Sequence, residues 1–178
     1  DGTVAVSGRD TGTVTVLDIG TGAIRATIPA AGGPTSVAIA PDGTLAIGSS
    51  EGITLFERDT YAPLASFSGD GIAADGSLQF SADGARLLSV EHTTGGATRY
   101  DVLTNLAVWD VGQHRELWRS SPDARCFDTA IVASNVLCSG RSPALAFELE
   151  TGRPSPSVLS AHPGFTQDLA ISPDHTTL

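Results

Sequence analysis

The run Thr35-Ser36-Val37-Ala38-Ile39-Ala40-Pro41-Asp42-Gly43-Thr44-Leu45-Ala46-Ile47-Gly48-Ser49, continued to Ser68, decides the fold. Its first six residues alternate apolar and polar, Pro41-Asp42-Gly43 breaks the pattern, and Thr44 to Ser49 resumes it. Ser50-Glu51-Gly52 turns the chain into Ile53 to Glu57, and Arg58-Asp59-Thr60-Tyr61 turns it into Ala62 to Ser68. A period of two between closely spaced turn clusters predicts four antiparallel strands in a meander. Ala40-Pro41-Asp42-Gly43 carries Pro where a type I turn needs φ near −65° and Gly where the turn closes.

The same unit recurs on both sides. Asp1-Gly2, Asp42-Gly43 and Asp83-Gly84 stand 41 residues apart, and Pro173-Asp174 follows 91 residues after Asp83. A period in the low forties with four strands per unit predicts an all-β chain, a β-propeller of four-stranded antiparallel blades. The reading gives a single segment over residues 1–178 with about four blades, an arc of a larger ring: units at 1–30, 35–68, 77–120 and 127–160, and a further one starting at 166–178. The first unit enters at its second strand, Thr3 to Gly8. The third carries an enlarged connection from His92 to Thr104, and the last run, Thr166 to Ser172, is expected to pair beside Thr3 to Gly8 if the chain closes on itself. Asn135 stands where sibling turns have Gly and is expected to take their left-handed conformation.

The third strands place a large apolar residue before an acid: Leu17-Asp18, Phe56-Glu57, Trp109-Asp110 and Phe147-Glu148. With the Pro-Asp-Gly turns and strands ending in Ser-Gly, this pattern resembles the WD-repeat family over essentially the whole chain, although only Trp109-Asp110 is the literal dipeptide. Thr151-Gly152-Arg153-Pro154 through His162 to Ser172-Pro173-Asp174 is similar to blades in the C-terminal propellers of actinobacterial regulatory proteins. The resemblance implies a non-catalytic protein-interaction or sensory scaffold within a larger bacterial signalling protein, with a protein partner and no cofactor. It also implies an Asp-His-Ser-Trp hydrogen-bond network, for which Trp109 lacks the His. The alternative is a propeller enzyme, lactonase-like or quinoprotein-like, with a central metal or cofactor.

Composition narrows the partners. The 178 residues include no Met and no Lys, which points to a fragment or processed chain from a GC-rich genome. A formal net charge of −10 argues against a nucleic-acid backbone and an anionic membrane, since such affinity comes from displaced counterions around Lys and Arg. No apolar run reaches the length of a membrane span. A hairpin turning at Ala133-Ser134-Asn135 would pair Cys138 near Ala130 and leave Cys126 four residues on, roughly 13 Å away at strand rise. Two free thiols and a cytoplasmic location are therefore expected.

Phosphate-loop, nucleophile-elbow and His-Glu-x-x-His signatures are absent. The long connection gathers Glu91, His92, Arg99, Tyr100 and Asp101. Glu91, His92 and Asp101 could ligate a divalent cation, but a protein-binding loop is the favoured reading because long insertions in tight hairpins tend to carry interactions. Asp18, Glu57, Asp110 and Glu148 recur in every unit and read as acceptors that fix turns. Trp109 and Trp118 read as packing between units rather than as a recognition platform. The incomplete edges of the arc predict self-association.

Overall fold

The computed structural model describes residues 2–8, 10–67, 77–94, 102–120, 126–140, 145–155 and 169. Among the described residues fourteen strands run in chain order: β1 Thr3–Gly8, β2 Thr13–Asp18, β3 Ile24–Pro29, β4 Pro34–Ile39, β5 Leu45–Ser49, β6 Gly52–Phe56, β7 Pro63–Phe67, β8 Leu78–Phe80, β9 Arg86–Thr94, β10 Val102–Asp110, β11 Arg115–Arg119, β12 Cys126–Val132, β13 Asn135–Gly140 and β14 Leu145–Glu148. They form four antiparallel meanders, β1-β2-β3, β4-β5-β6-β7, β8-β9-β10-β11 and β12-β13-β14, and among the described residues no strand is shared between sheets. The all-β expectation holds, in four antiparallel sheets of three or four strands. In the fourth unit the strand expected from Ser155 is described only at its start, where Pro154 bridges to Phe147 and the Ser155 N–H donates to the Ala146 carbonyl at 2.7 Å.

Alternation along each strand gives the sheets two apolar faces, and between successive sheets these faces pack on one another. Val14, Val16 and Ile28 of the first sheet pack with Leu45, Ile47 and Phe56 of the second. Ala46, Ile53, Leu55 and Phe67, on the other face of the second, pack with Leu78, Phe80, Leu87 and Trp109 of the third. Leu88, Val90, Leu106 and Val108 then meet Ile131, Val136, Cys138 and Phe147 of the fourth. A one-residue step, as from Leu45 to Ala46 or from Val108 to Trp109, changes the sheet that a side chain touches, because successive Cβ atoms point to opposite faces. The fourth sheet's far face, Ala130, Val132, Leu137 and Ala146, packs with Leu169.

Polar straps reinforce the stack. Arg86 on β9 donates from Nε and Nη2 to the Glu150 carboxylate, each at 2.9 Å, and from Nη1 to Asp110 Oδ2 at 3.2 Å. Gln79 Oε1 on β8 accepts the Ile131 N–H of β12 at 3.0 Å, and Asp128 Oδ2 on β12 accepts the Leu169 N–H at the same distance. Thr166 to Ser172, expected as a closing strand beside β1, otherwise lies outside the described residues.

Two expectations fail in the fourth sheet. Cys126 and Cys138 are not free thiols: they are joined in a disulfide with Cα atoms 5.3 Å apart. The hairpin turns on two residues, Ala133-Ser134, so that Cys138 faces Thr129 rather than Ala130, and a β-bulge between Cys126 and Asp128 absorbs one further residue. Cys126 thereby stands opposite Gly140, diagonal to Cys138. The left-handed residue of that turn is Ala133, at φ 49°, and Asn135 instead begins β13.

Titration of the denatured, non-reduced protein with a thiol reagent should therefore find no reactive cysteine. Replacing both cysteines with Ser should lower stability by about 2–4 kcal/mol in denaturant melts, the usual effect of opening a short cross-linked loop.

Candidate functional site

Of the five residues gathered from the long connection, the structure places Glu91 and the backbone of His92. Arg99, Tyr100 and Asp101 lie outside the described residues. The connection is shorter than expected, because β9 and β10 continue their ladder through Glu91↔Asn105, His92↔Thr104, Thr93↔Leu103 and Thr94↔Val102. Among the described residues the flanking strands reach this pair no further than Val90, whose N–H donates to the Ser77 carbonyl, and Leu106, whose carbonyl accepts the Ser120 N–H. A two-stranded arm thus runs four residue pairs past the ladders of its own sheet, roughly 13 Å at strand rise.

Glu91 is not at the tip of this arm but at its root, and it is fully buried. Arg119 of β11 reaches across β10 and donates from Nη1 to Glu91 Oε2 and from Nη2 to Glu116 Oε2, the latter at 2.7 Å. The same guanidinium lies 5.8 Å from the ring centroid of Trp109, in cation-π range. Trp109 packs on Phe67 with centroids 4.8 Å apart and donates from Nε1 to the buried Ser89 hydroxyl at 2.9 Å. The Trp-Ser link of the network implied by the resemblance is thus present. Ion pair, indole and hydroxyl form one buried cluster that anchors the arm in the sheet, a role that spacing alone did not reveal.

The four repeated acids act as turn acceptors. Asp18 Oδ1 accepts the Thr21 N–H at 2.9 Å and its hydroxyl at 3.0 Å, and Asp110 Oδ1 accepts the Gln113 N–H at 2.8 Å. Glu57 accepts the Thr60 hydroxyl, and Glu148 accepts that of Thr151 at 2.6 Å. Trp118 donates to the Leu149 carbonyl at 2.7 Å, and its indole lies against Gly152, where a Cβ would come within 2.6 Å of the ring. Both tryptophans therefore fill sheet-to-sheet packing. His114 is exposed in the β10–β11 turn with φ 53°, whereas His162 lies outside the described residues.

A crevice of about 170 Å³ opens between the first two sheets, with Val16 and Leu45 on its floor and Arg25, Arg58 and Tyr61 around it. Its arginines are matched by acids, Arg25 with Asp18 and Arg58 with Asp59 at 3.6 Å. Among the described residues no cluster of three or more His, Cys, Asp or Glu could hold a metal.

No protein-family model and no curated protein matches the chain. Solved structures do. Hydrazine synthase of Kuenenia stuttgartiensis superposes with a TM-score of 0.69 at 14% identity over 83% of this chain, which spans 48% of that one. The computationally designed Ika4 protein superposes with a TM-score of 0.65 at 18% identity, covering 84% of this chain and 86% of that one. At such identities the likeness extends to the β-rich fold alone.

Two predictions follow from these contacts. Arg119→Met takes the guanidinium donor from a buried carboxylate and should cost about 3 kcal/mol, the low end for a broken buried pair because Arg119 is partly exposed. The double variant with Glu91→Leu should recover most of that loss in a denaturant melt. The Arg25 guanidinium, with the Thr21 N–H and hydroxyl, holds the Asp18 carboxyl at about 2 against its ordinary 3.8, and the Ser81 hydroxyl with the Ala85 N–H lowers Asp83. The stability that Asp18 contributes is present above pH 3.8 and lost as pH falls toward 2, and that of Asp83 is likewise lost on acidification through its lowered range. The melting temperature should drop across that window, and less steeply in Asp18→Asn.

Proposed function

We propose that the chain is an arc of a β-propeller, each sheet a blade, and that it serves as a non-catalytic interaction or sensory scaffold within a larger bacterial signalling or regulatory protein. The observation that carries this reading is positional. Phe56, Trp109 and Phe147, each immediately before an acid, pack on the preceding sheet, while Val16, Leu55 and Val108, one residue earlier in the motif, pack on the following one. A stack built by one repeated rule is how propeller blades are assembled, and such scaffolds bind through loops held on rigid sheets.

The arm of β9 and β10 is the binding element in this reading. It is the one hairpin among the described residues that outruns its sheet by four pairs, and the Glu91–Arg119 pair roots it. The partner is a protein. The acidic balance gives nucleic acid and anionic membranes nothing to hold, and among the described residues no helix is long and apolar enough to cross a membrane. The Cys126–Cys138 disulfide favours an oxidising compartment over the cytoplasm that free thiols would suit.

The test is to replace residues 94–102 with Asn-Gly, which closes the arm on the Thr93↔Leu103 pair. The shortened chain should keep its circular dichroism and melting temperature but lose the proteins that cross-link to the intact chain in its native host. Unchanged cross-linking would remove the arm from the proposal. A stoichiometric metal in the purified protein, with an activity lost on chelation, would favour the propeller enzyme instead.

A further inference from the structure

The crevice beside Arg25 and Arg58 lies where the repeat departs from its own pattern. Between the third and fourth sheets the matching space is filled. Trp118, opposite Val108, lays its indole against Gly152 and donates to the Leu149 carbonyl, and Leu149 is itself buried in the interface. Three positions supply that filling: the partner of the residue two before the acid, the residue after the next sheet's acid, and the residue four after it. Between the first and second sheets these positions hold Ala26, opposite Val16, then Arg58 and Tyr61. Between the second and third, Ala65 opposite Leu55 also lacks a ring, but Val111 follows the acid there and packs into the interface. Among the described residues the first interface alone thus lacks both the ring and the apolar residue after the acid. There the crevice of about 170 Å³ stands.

Its lining suits a particular guest. Val16 and Leu45 give an apolar floor, and the volume is close to the roughly 150 Å³ that accepts a benzene ring inside a protein. Arg25 and Arg58 reach it from opposite sheets. A guanidinium presents its N–H donors as a planar fork that both oxygens of a carboxylate can meet. Arg58 pairs with Asp59 at 3.6 Å, with the side chains 51% and 87% exposed, and an incoming carboxylate displaces so solvated a pair at little cost. Tyr61 holds φ 53° where Gly152, at the matching place, holds 67°. A tyrosine is strained in that region, and such strain persists where the surroundings enforce it or a site uses it. Tyr61 packs on the apolar cluster of this interface and lines the crevice. We infer that the crevice binds a small aromatic carboxylate, its ring on Val16 and Leu45 in the space that Trp118 takes two interfaces along, its carboxylate on Arg58 with Arg25 beside it. The site shares no residue with the β9–β10 arm and stands independently of it.

Benzoate is the probe, with acetate and benzamide as the controls that lack its ring and its charge, and methyl chemical shifts of the full chain as the readout. Benzoate should bind saturably, one per chain, shifting Val16 and Leu45 and leaving Leu106 and Ile131 in place. Acetate and benzamide should each bind at least tenfold more weakly. Arg58→Leu installs the side chain that Leu149 supplies in the fourth sheet, and it should keep the circular dichroism while weakening benzoate at least tenfold. Ala26→Trp should do the same by filling the space. A parent chain without saturable benzoate binding overturns the inference, even if a variant fails to fold. So does acetate or benzamide binding as tightly as benzoate, a shift pattern centred on Leu106 and Ile131, or benzoate binding that survives Arg58→Leu.

Discussion

Everything in this molecule depends on strands whose two faces are both apolar. In a sheet with one wet face, alternation separates oil from water. Here it separates one neighbour from the other, as at Leu45, which meets the first sheet, and Ala46, which meets the third. A register slip of one residue would exchange the two sets and spoil two interfaces at once, so register is strongly specified. The size gradient along the motif follows from the same constraint. A bulky Phe or Trp before the acid enters the space left by a smaller Val or Leu on the sheet before it.

The polar groups serve that stack. Every repeated acid takes up hydrogen-bond donors of its own turn, and the Thr or Gln that follows supplies them. Arg86 joins the Asp110 turn of the third sheet to Glu150 of the fourth, so that turn chemistry and inter-sheet contact share one guanidinium. Trp109 likewise joins three tasks: it fills the interface with Phe67, satisfies Ser89 and lies near Arg119, whose other contact neutralises the buried Glu91. Repetition built the frame, and the third unit departs from it where the β9–β10 arm emerges.

Much of this architecture was legible in the residues. Thr3 to Gly8 and Thr13 to Asp18 were readable to their ends because turn-forming glycines and polar residues bound clean alternations, and β1 and β2 have those limits. The roles of Asp18, Glu57, Asp110 and Glu148 followed from recurrence, since chemistry is seldom repeated in every unit. The disulfide was not legible, because its geometry hangs on a bulge at Phe127 and a two-residue turn, each worth one residue of register. Strand ends at the arm were also misplaced. His92, Thr93 and Thr94 look like loop residues by composition, but they extend a ladder already nucleated by Leu87 to Val90. Glu91 looked solvated for the same reason, and Arg119, 28 residues later, helps to make its burial tolerable. The crevice beside Arg25 and Arg58 draws on β1 to β5 and nearby turns, and no local pattern marks it.

The central claim is that the residue before each repeated acid packs on the preceding sheet and its own predecessor on the following one, and nuclear Overhauser contacts of three aromatic rings test it most directly. The account predicts that Phe56 shows contacts to the methyl groups of Val14 and Val16, Trp109 to those of Ile53 and Leu55, and Phe147 to those of Leu106 and Val108. Contacts from Phe56 to Leu87, or from Trp109 to Val136, would place these rings on the opposite faces of their sheets and contradict it.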